Sequence, residues 1–302
     1  MRYLLIVFLV LLNISSIHAQ EPLWEGKGRI AISSDGNEHD HDDWAATPLS
    51  LALLAAAGLQ EHLVLYTYSD HIWGSNQAHP TSESGLNAYQ HMRESALGGQ
   101  SKFGFDNARF VCAVDNAEVA YTAMRDEINK SSPDNPLIII AAGPMQVIGE
   151  AISRAEIDKR QYVTLVSHGV WNNIHADNPG KIWWDVHSGW TFNEIKAIFG
   201  DEDGGRLRCI KILDQNGGEG YEGLKTEKAR YDWIKDSPAR NNEYYQSGSW
   251  DWLYTRLKTC TKDVGKNYDP SDAGMVIYLL TGVEKTNPDL ARKIMENPKQ
   301  NK

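Results

Sequence analysis

Short apolar runs rich in β-branched residues alternate along this chain with longer stretches in which apolar and polar positions mix. The short runs predict strands over residues 29–33, 63–68, 110–114, 137–141, 162–167 and 209–213. The longer stretches predict helices over 44–59, 82–97, 116–128, 145–154, 273–280 and 288–295. Asn116 is placed to cap the third of these, with Glu118 in its first turn, and Gly58 helps to end the first. Residues 137–141 read Leu-Ile-Ile-Ile-Ala, the unbroken apolar pattern of a strand buried on both faces. Alternation of this kind argues for an α/β fold with a mainly parallel, doubly wound sheet and helices on both sides. In such sheets ligands bind beyond the carboxyl ends of the strands. Positions just after Ser33, Tyr68, Ala141 and Ser167 are therefore expected to share one rim. Residues 217–252 break the alternation; rich in Gly, Asn, Tyr and Trp, they read as a long excursion, either a functional loop or a plain surface insertion.

The first residues change the picture of where the chain works. Arg2, an apolar stretch at 4–12 and Ala19 before Gln20 have the order of a secretory signal, so residues 1–19 are expected to be removed and the remainder secreted or periplasmic. The apolar stretch is shorter than the roughly 20 residues of a spanning helix. Residues 20–302 carry no linker, repeat or low-complexity tract and read as one domain. With 40 acids against 30 bases, nucleic acid and anionic membrane are disfavoured as partners, and a homo-oligomer is allowed. Ten Trp and thirteen Tyr supply rings that can pack in a core or stack on sugars. Three cysteines cannot build a complete disulfide framework; Cys112 and Cys209 sit in apolar runs, and a Cys209–Cys260 bridge is left open.

Candidate chemistry concentrates in the turn Asp35-Gly-Asn-Glu-His-Asp-His-Asp-Asp43, with five acids and two His in nine residues between a strand and a helix. Carboxylates at a helix start satisfy orphan N–H groups and face the positive end of the dipole, which accounts for one or two of them. Five so close repel unless a cation offsets them, and a hard cation with oxygen ligands is the simplest offset. The plain alternative is a solvated acidic loop, which the flanking strand and Ala-rich helix do not favour.

Asp35, Asp42 and Asp43 followed by Trp44-Ala45-Ala46 resemble the Asp-rich motif at the end of the first strand in nucleoside hydrolases. Further resemblances follow in the same order. Tyr66-Thr67-Tyr68 leading to Asn76 is similar to the second strand and its ribose-contacting Asn. Ala141-Ala142-Gly143-Pro144-Met145 is similar to the strand whose following turn gives a carbonyl to the metal, and Pro270-Ser271-Asp272-Ala273 to the late segment whose Asp completes the calcium shell. The resemblance spans about residues 28 to 282 and implies a Rossmann-like, nucleoside-hydrolase-like fold. It implies a Ca2+ held by Asp35, Asp43, Asp272 and the Ala142 carbonyl, with Asp35 taking a proton from water and Asp42, the second catalytic candidate, holding a sugar hydroxyl.

The chain departs from that pattern in informative places. The turn after Asp35 is longer, with His39, Asp40 and His41 inserted, and the family's Pro is missing. Ser271 stands where the best-studied branch has the His that helps the base leave. The stretch 171–190, including Trp183, Trp184, Asp185 and His187, stands where the family has its Glu-Phe-Asn sugar contacts and does not match them residue by residue. Asn76, His168, Trp183, Asp185 and His187 are the candidate substrate contacts. The expectation is a divergent exported hydrolase of N- or O-glycosidic bonds, acting on a sugar-containing small molecule or saccharide other than a common nucleoside. Two alternatives stay open: a carbohydrate-binding protein on the same fold without catalysis, and a Zn2+ hydrolase using His39-x-His41-x-Asp43, the ligand spacing of metallo-β-lactamase-type enzymes.

Overall fold

The computed structural model describes residues 21–36, 41–69, 82–170, 189–200, 206–260 and 265–299. Its centre is a sheet of six strands, β1 (Arg29–Ser34), β2 (Leu63–Tyr68), β3 (Arg109–Cys112), β4 (Leu137–Ala142), β5 (Val163–Ser167) and β6 (Arg208–Lys211). All neighbouring pairs are parallel and the order is β3-β2-β1-β4-β5-β6. The chain winds outward from β1 to β3, returns to the centre at β4 and winds out the other way. The topological switch therefore lies between β1 and β4, whose register ends with Ser34 opposite Ala142. Both strands are buried along their whole length, as their apolar runs require. This is the α/β doubly wound architecture expected from the alternation.

Helices α1 (Asp43–Ala56), α2 (Glu83–Phe103), α3 (Ala117–Asn129) and α4 (Gln146–Arg154) flank the sheet, with α1 packed on α2 and α3 on α4. Asn116 caps α3 as expected, its side-chain oxygen accepting from the Val119 N–H. Helix α2 runs through Gly98 and Gly99, where the sequence pattern alone stops, and ends at Gly104 in the left-handed region, φ +74°. The two glycines persist in the helix because neighbours press on them. A Cβ on Gly98 would lie 2.5 Å from the Trp252 ring, and one on Gly99 2.5 Å from Leu51 Cδ1 of α1. Helix α5 (Phe192–Phe199) was not read from the pattern, yet Thr191 and Glu194 form a reciprocal capping box at its start. The excursion 217–252 holds short helical pieces (Lys228–Tyr231, Trp233–Asp236 and Pro238–Asn241) and the strand β7 (Thr226–Glu227), which pairs antiparallel with β8 (Asn267–Tyr268), until α6 (Ser249–Leu257) begins. Helices α7 (Ala273–Thr281) and α8 (Pro288–Glu296) complete the described chain.

Helix α1 is buried on every side. It carries Pro48 in its interior, so the Trp44 carbonyl, four residues earlier, loses its helical donor. Ser95 of α2 replaces that donor, its Oγ–H bonding the Trp44 carbonyl at 2.7 Å. Arg256 Nε in turn donates to Ser95 Oγ at 3.0 Å, while the same guanidinium pairs with Glu94 at 2.7 Å. One buried polar chain thus ties α1, α2 and α6 together. Cys112, Cys209 and Cys260 are free thiols; Cys260 Sγ bonds the Leu257 carbonyl and accepts from the Asp269 N–H, and no Cys209–Cys260 bridge forms. Among the described residues no helix is long and apolar enough to cross a membrane.

Candidate functional site

Strand β1 delivers Asp35 to the switch point. Its N–H bonds the Ala142 carbonyl at the end of β4 at 3.2 Å, and its carbonyl accepts from Ser69 N–H at the end of β2 at 3.1 Å. The chain then turns at Gly36, φ +77°, whose N–H donates to Asp35 Oδ1 at 2.6 Å. Gly143 packs directly beside it: at φ +119° it is in a conformation that favours glycine, and a Cβ there would lie 2.9 Å from Asp35 Cγ. The missing side chain of Gly143 is thus what lets this turn approach the carboxylate.

Asp42 and Asp43 meet Asp35 from the start of α1. Asp42 is the N-cap and accepts from the Asp43 N–H at 2.9 Å. Asp43 Oδ2 accepts from the Asp35 N–H at 3.1 Å. Each of the three acids offers a carboxylate oxygen, and these oxygens lie within 4.8 Å of one another. Asp35 is 2% exposed and Asp43 0%. Two buried carboxylates with a third beside them repel, and burial raises the cost of that repulsion.

Trp44, next to the trio, braces the turn. Its indole N–H donates to the Gly36 carbonyl at 2.9 Å, and its ring is stacked between His41 at 3.8 Å and His91 at 4.5 Å. His41 of the zinc-like spacing therefore lies face-on to an indole, while His39 and Asp40 lie outside the described residues.

Asp272 stands apart from the close trio at the start of α7. It occupies the N-cap, yet its side chain makes no capping bond; its Oδ1 is 2.7 Å from His168 Nε2, at the end of β5. His168 is 3% exposed, and its Nδ1 faces the Gln215 N–H at 3.2 Å and Asp214 Oδ1 at 3.6 Å. Burial disfavours the charged ring, but Asp272 and Asp214 outweigh it and push the His168 pKa up to about 9. Asp214 moves the opposite way: its hydrogen bond to His168 holds the carboxyl well below the usual range. In the neutral ring, Nδ1 accepts from Gln215 N–H; in the charged ring, the Nδ1 proton faces Asp214. Expected as a substrate contact, His168 has both ring nitrogens engaged within the protein. Asp214 and Gln215 were missed at the sequence level, although they directly follow the run 209–213 expected as a strand and, a few residues past β6, belong to the same rim.

The buried Tyr66 phenol lies within electrostatic reach of both acidic groups. It donates to Thr47 Oγ1 at 2.9 Å. Its pKa is raised by burial first, and then by the charges of Asp43 and of Asp272. The hydroxyls of Ser167 and Ser271, adjacent in sequence to His168 and Asp272, are buried and have no hydrogen-bond partner among the described residues. The structure thus gathers Asp35, Asp42, Asp43 and Ala142, and sets Asp272 with His168. Asn76, Trp183, Asp185 and His187 lie outside the described residues.

No family model matches the chain. Over 270 residues it is 33% identical to Uncharacterized protein P22 of Formosa agariphila, an alignment covering 87% of this chain and 87% of that protein.

Proposed function

The chain belongs to one family with protein P22 of Formosa agariphila, and for this member we propose a Ca2+-dependent hydrolase of N- or O-glycosidic bonds within the nucleoside-hydrolase superfamily. The observation that carries the reading is the trio Asp35, Asp42 and Asp43, gathered within 4.8 Å at the switch point of a doubly wound sheet. The donors are all oxygens and two of the acids are buried, which suits a hard cation.

Asp35 and Asp43 would hold the ion, with the Ala142 carbonyl and Asp272 as further ligands. When bound, calcium offsets the carboxylate charge and makes a nearby water easier to deprotonate. Asp35 takes that proton as general base; the Gly36 N–H on Oδ1 orients its carboxylate for the task. Asp42, only half-buried, is the acid positioned to accept a hydrogen bond from a sugar hydroxyl. The clustered negative charge then favours the oxocarbenium-like state through which an anomeric carbon passes. With Ser271 in place of a base-protonating His, no imidazole stands there to protonate a departing nucleobase, so the substrate is a sugar compound other than a common nucleoside, whose leaving group departs as a stabilised anion and takes its proton from solvent.

The test is a panel of glycosides and nucleosides offered to the purified protein and to Asp35→Asn. Turnover of a glycoside that Asp35→Asn abolishes while sparing binding supports the reading. Binding without turnover in the unaltered protein would favour a carbohydrate-binding role, and rapid cleavage of inosine or uridine would overturn the substrate assignment.

A further inference from the structure

An N-cap Asp accepts from an N–H of the first turn when its own backbone is extended, whereas Asp272 lies in the helical region, φ −61°, ψ −23°. Asp272 makes no such bond at the start of α7. Its carboxylate goes to His168 Nε2 at 2.7 Å instead, across the space between the end of β5 and the start of α7.

The His168 ring is itself fixed. The backbone N–H of Gln215 reaches Nδ1 at 3.2 Å, so the neutral ring carries its proton on Nε2, the atom that faces Asp272. The ring is buried, and its neighbour Gly169 takes a left-handed conformation, φ +68°, as the chain turns off the strand. This arrangement fixes the direction of one carboxylate.

We infer that His168 is a positioning residue for the cation shell, holding the Asp272 carboxylate in one orientation at the rim. The inference rests on the proposed cation site and adds a residue to it. With Oδ1 engaged by the imidazole, Asp272 would meet the ion through its other oxygen. Hydrogen-bonded partners of this kind orient metal ligands, and losing one typically weakens metal affinity about 10- to 100-fold.

Two substitutions separate the functions of the ring. In His168→Asn the side-chain amide can still face Gln215 N–H but is too short to reach Asp272. In His168→Gln the longer amide can donate to Asp272 as Nε2 does. Calcium alone is titrated calorimetrically into the full chain, with circular dichroism as the check on folding. His168→Asn is expected to bind calcium about 10- to 100-fold more weakly, and His168→Gln to restore binding. Should His168→Asn not fold, His168→Leu fills the site without a donor and carries the same expectation. A folded His168→Asn or His168→Leu that binds as tightly as the unaltered protein, while Asp43→Asn loses binding, overturns the role of His168 alone. An unaltered protein that binds no calcium overturns the cation site and this inference with it.

Discussion

At the scale of single residues, the site depends on side chains whose neighbours leave them one position. Gly143 is the sharpest case, because a Cβ there meets Asp35 Cγ at 2.9 Å and the backbone sits at φ +119°. Gly143→Ala is expected to fold with a loss of about 1–3 kcal/mol and to weaken calcium binding, since either the turn or Asp35 must move. Denaturant unfolding and calcium titration check the two parts separately. His168 gives a pH signature in the metal-free protein. Its folded pKa, about 9, lies above the ordinary 6.5. The charged ring therefore adds stability that is fully present below the unfolded pKa and is lost as pH rises through the folded one. Urea midpoints measured from about pH 6 to 10 should fall with pH, and His168→Asn should remove much of that slope. Proximity in sequence revealed Asp35, Asp42 and Asp43; the His168–Asp272 pair, 104 residues apart, is a product of topology alone.

At the scale of elements, the helix that opens with two of the site acids is also held by a substitute hydrogen bond. Pro48 removes a donor from α1, and Ser95 supplies another to the Trp44 carbonyl at 2.7 Å. Ser95→Ala leaves that carbonyl and the Arg256 Nε–H without this partner, a loss expected to cost about 1–3 kcal/mol in denaturant unfolding. Because Trp44 also holds the Gly36 carbonyl, part of that loss should appear as weaker calcium binding. The strands were legible because their apolar runs are compact and bounded by turn residues; β2 matches its expected limits, residues 63–68. Helix α2 was read short because Gly-Gly ordinarily ends a helix, whereas here the glycines admit Leu51 and Trp252 against the helix. Gly98→Ala, driven into the Trp252 ring, is expected to destabilise by about 1–3 kcal/mol, which thermal or denaturant unfolding would show. Helix α5 escaped notice because its signal lies in the cap, Thr191 with Glu194, more than in a long periodic face.

At the scale of the whole molecule, the sheet order explains why residues distant in sequence become neighbours. Winding outward from both sides of the β1–β4 crevice places the ends of β1, β2, β4 and β5 along one rim. Alternation of strand and helix patterns was enough to expect that rim, and the family resemblance pointed to the acids on it. Neither could say how Asp272 would be turned, because that depends on His168 and on the backbone N–H of Gln215. A net charge of −10 adds long-range attraction for a cation and none for a polyanion. The most direct test of the proposed cation site is a crystal structure of the protein soaked in calcium, read by anomalous scattering. One ion is expected about 2.3–2.6 Å from carboxylate oxygens of Asp35 and Asp43. A crystal saturated with calcium that shows no ion beside those two acids would refute the site and the hydrolytic function built on it.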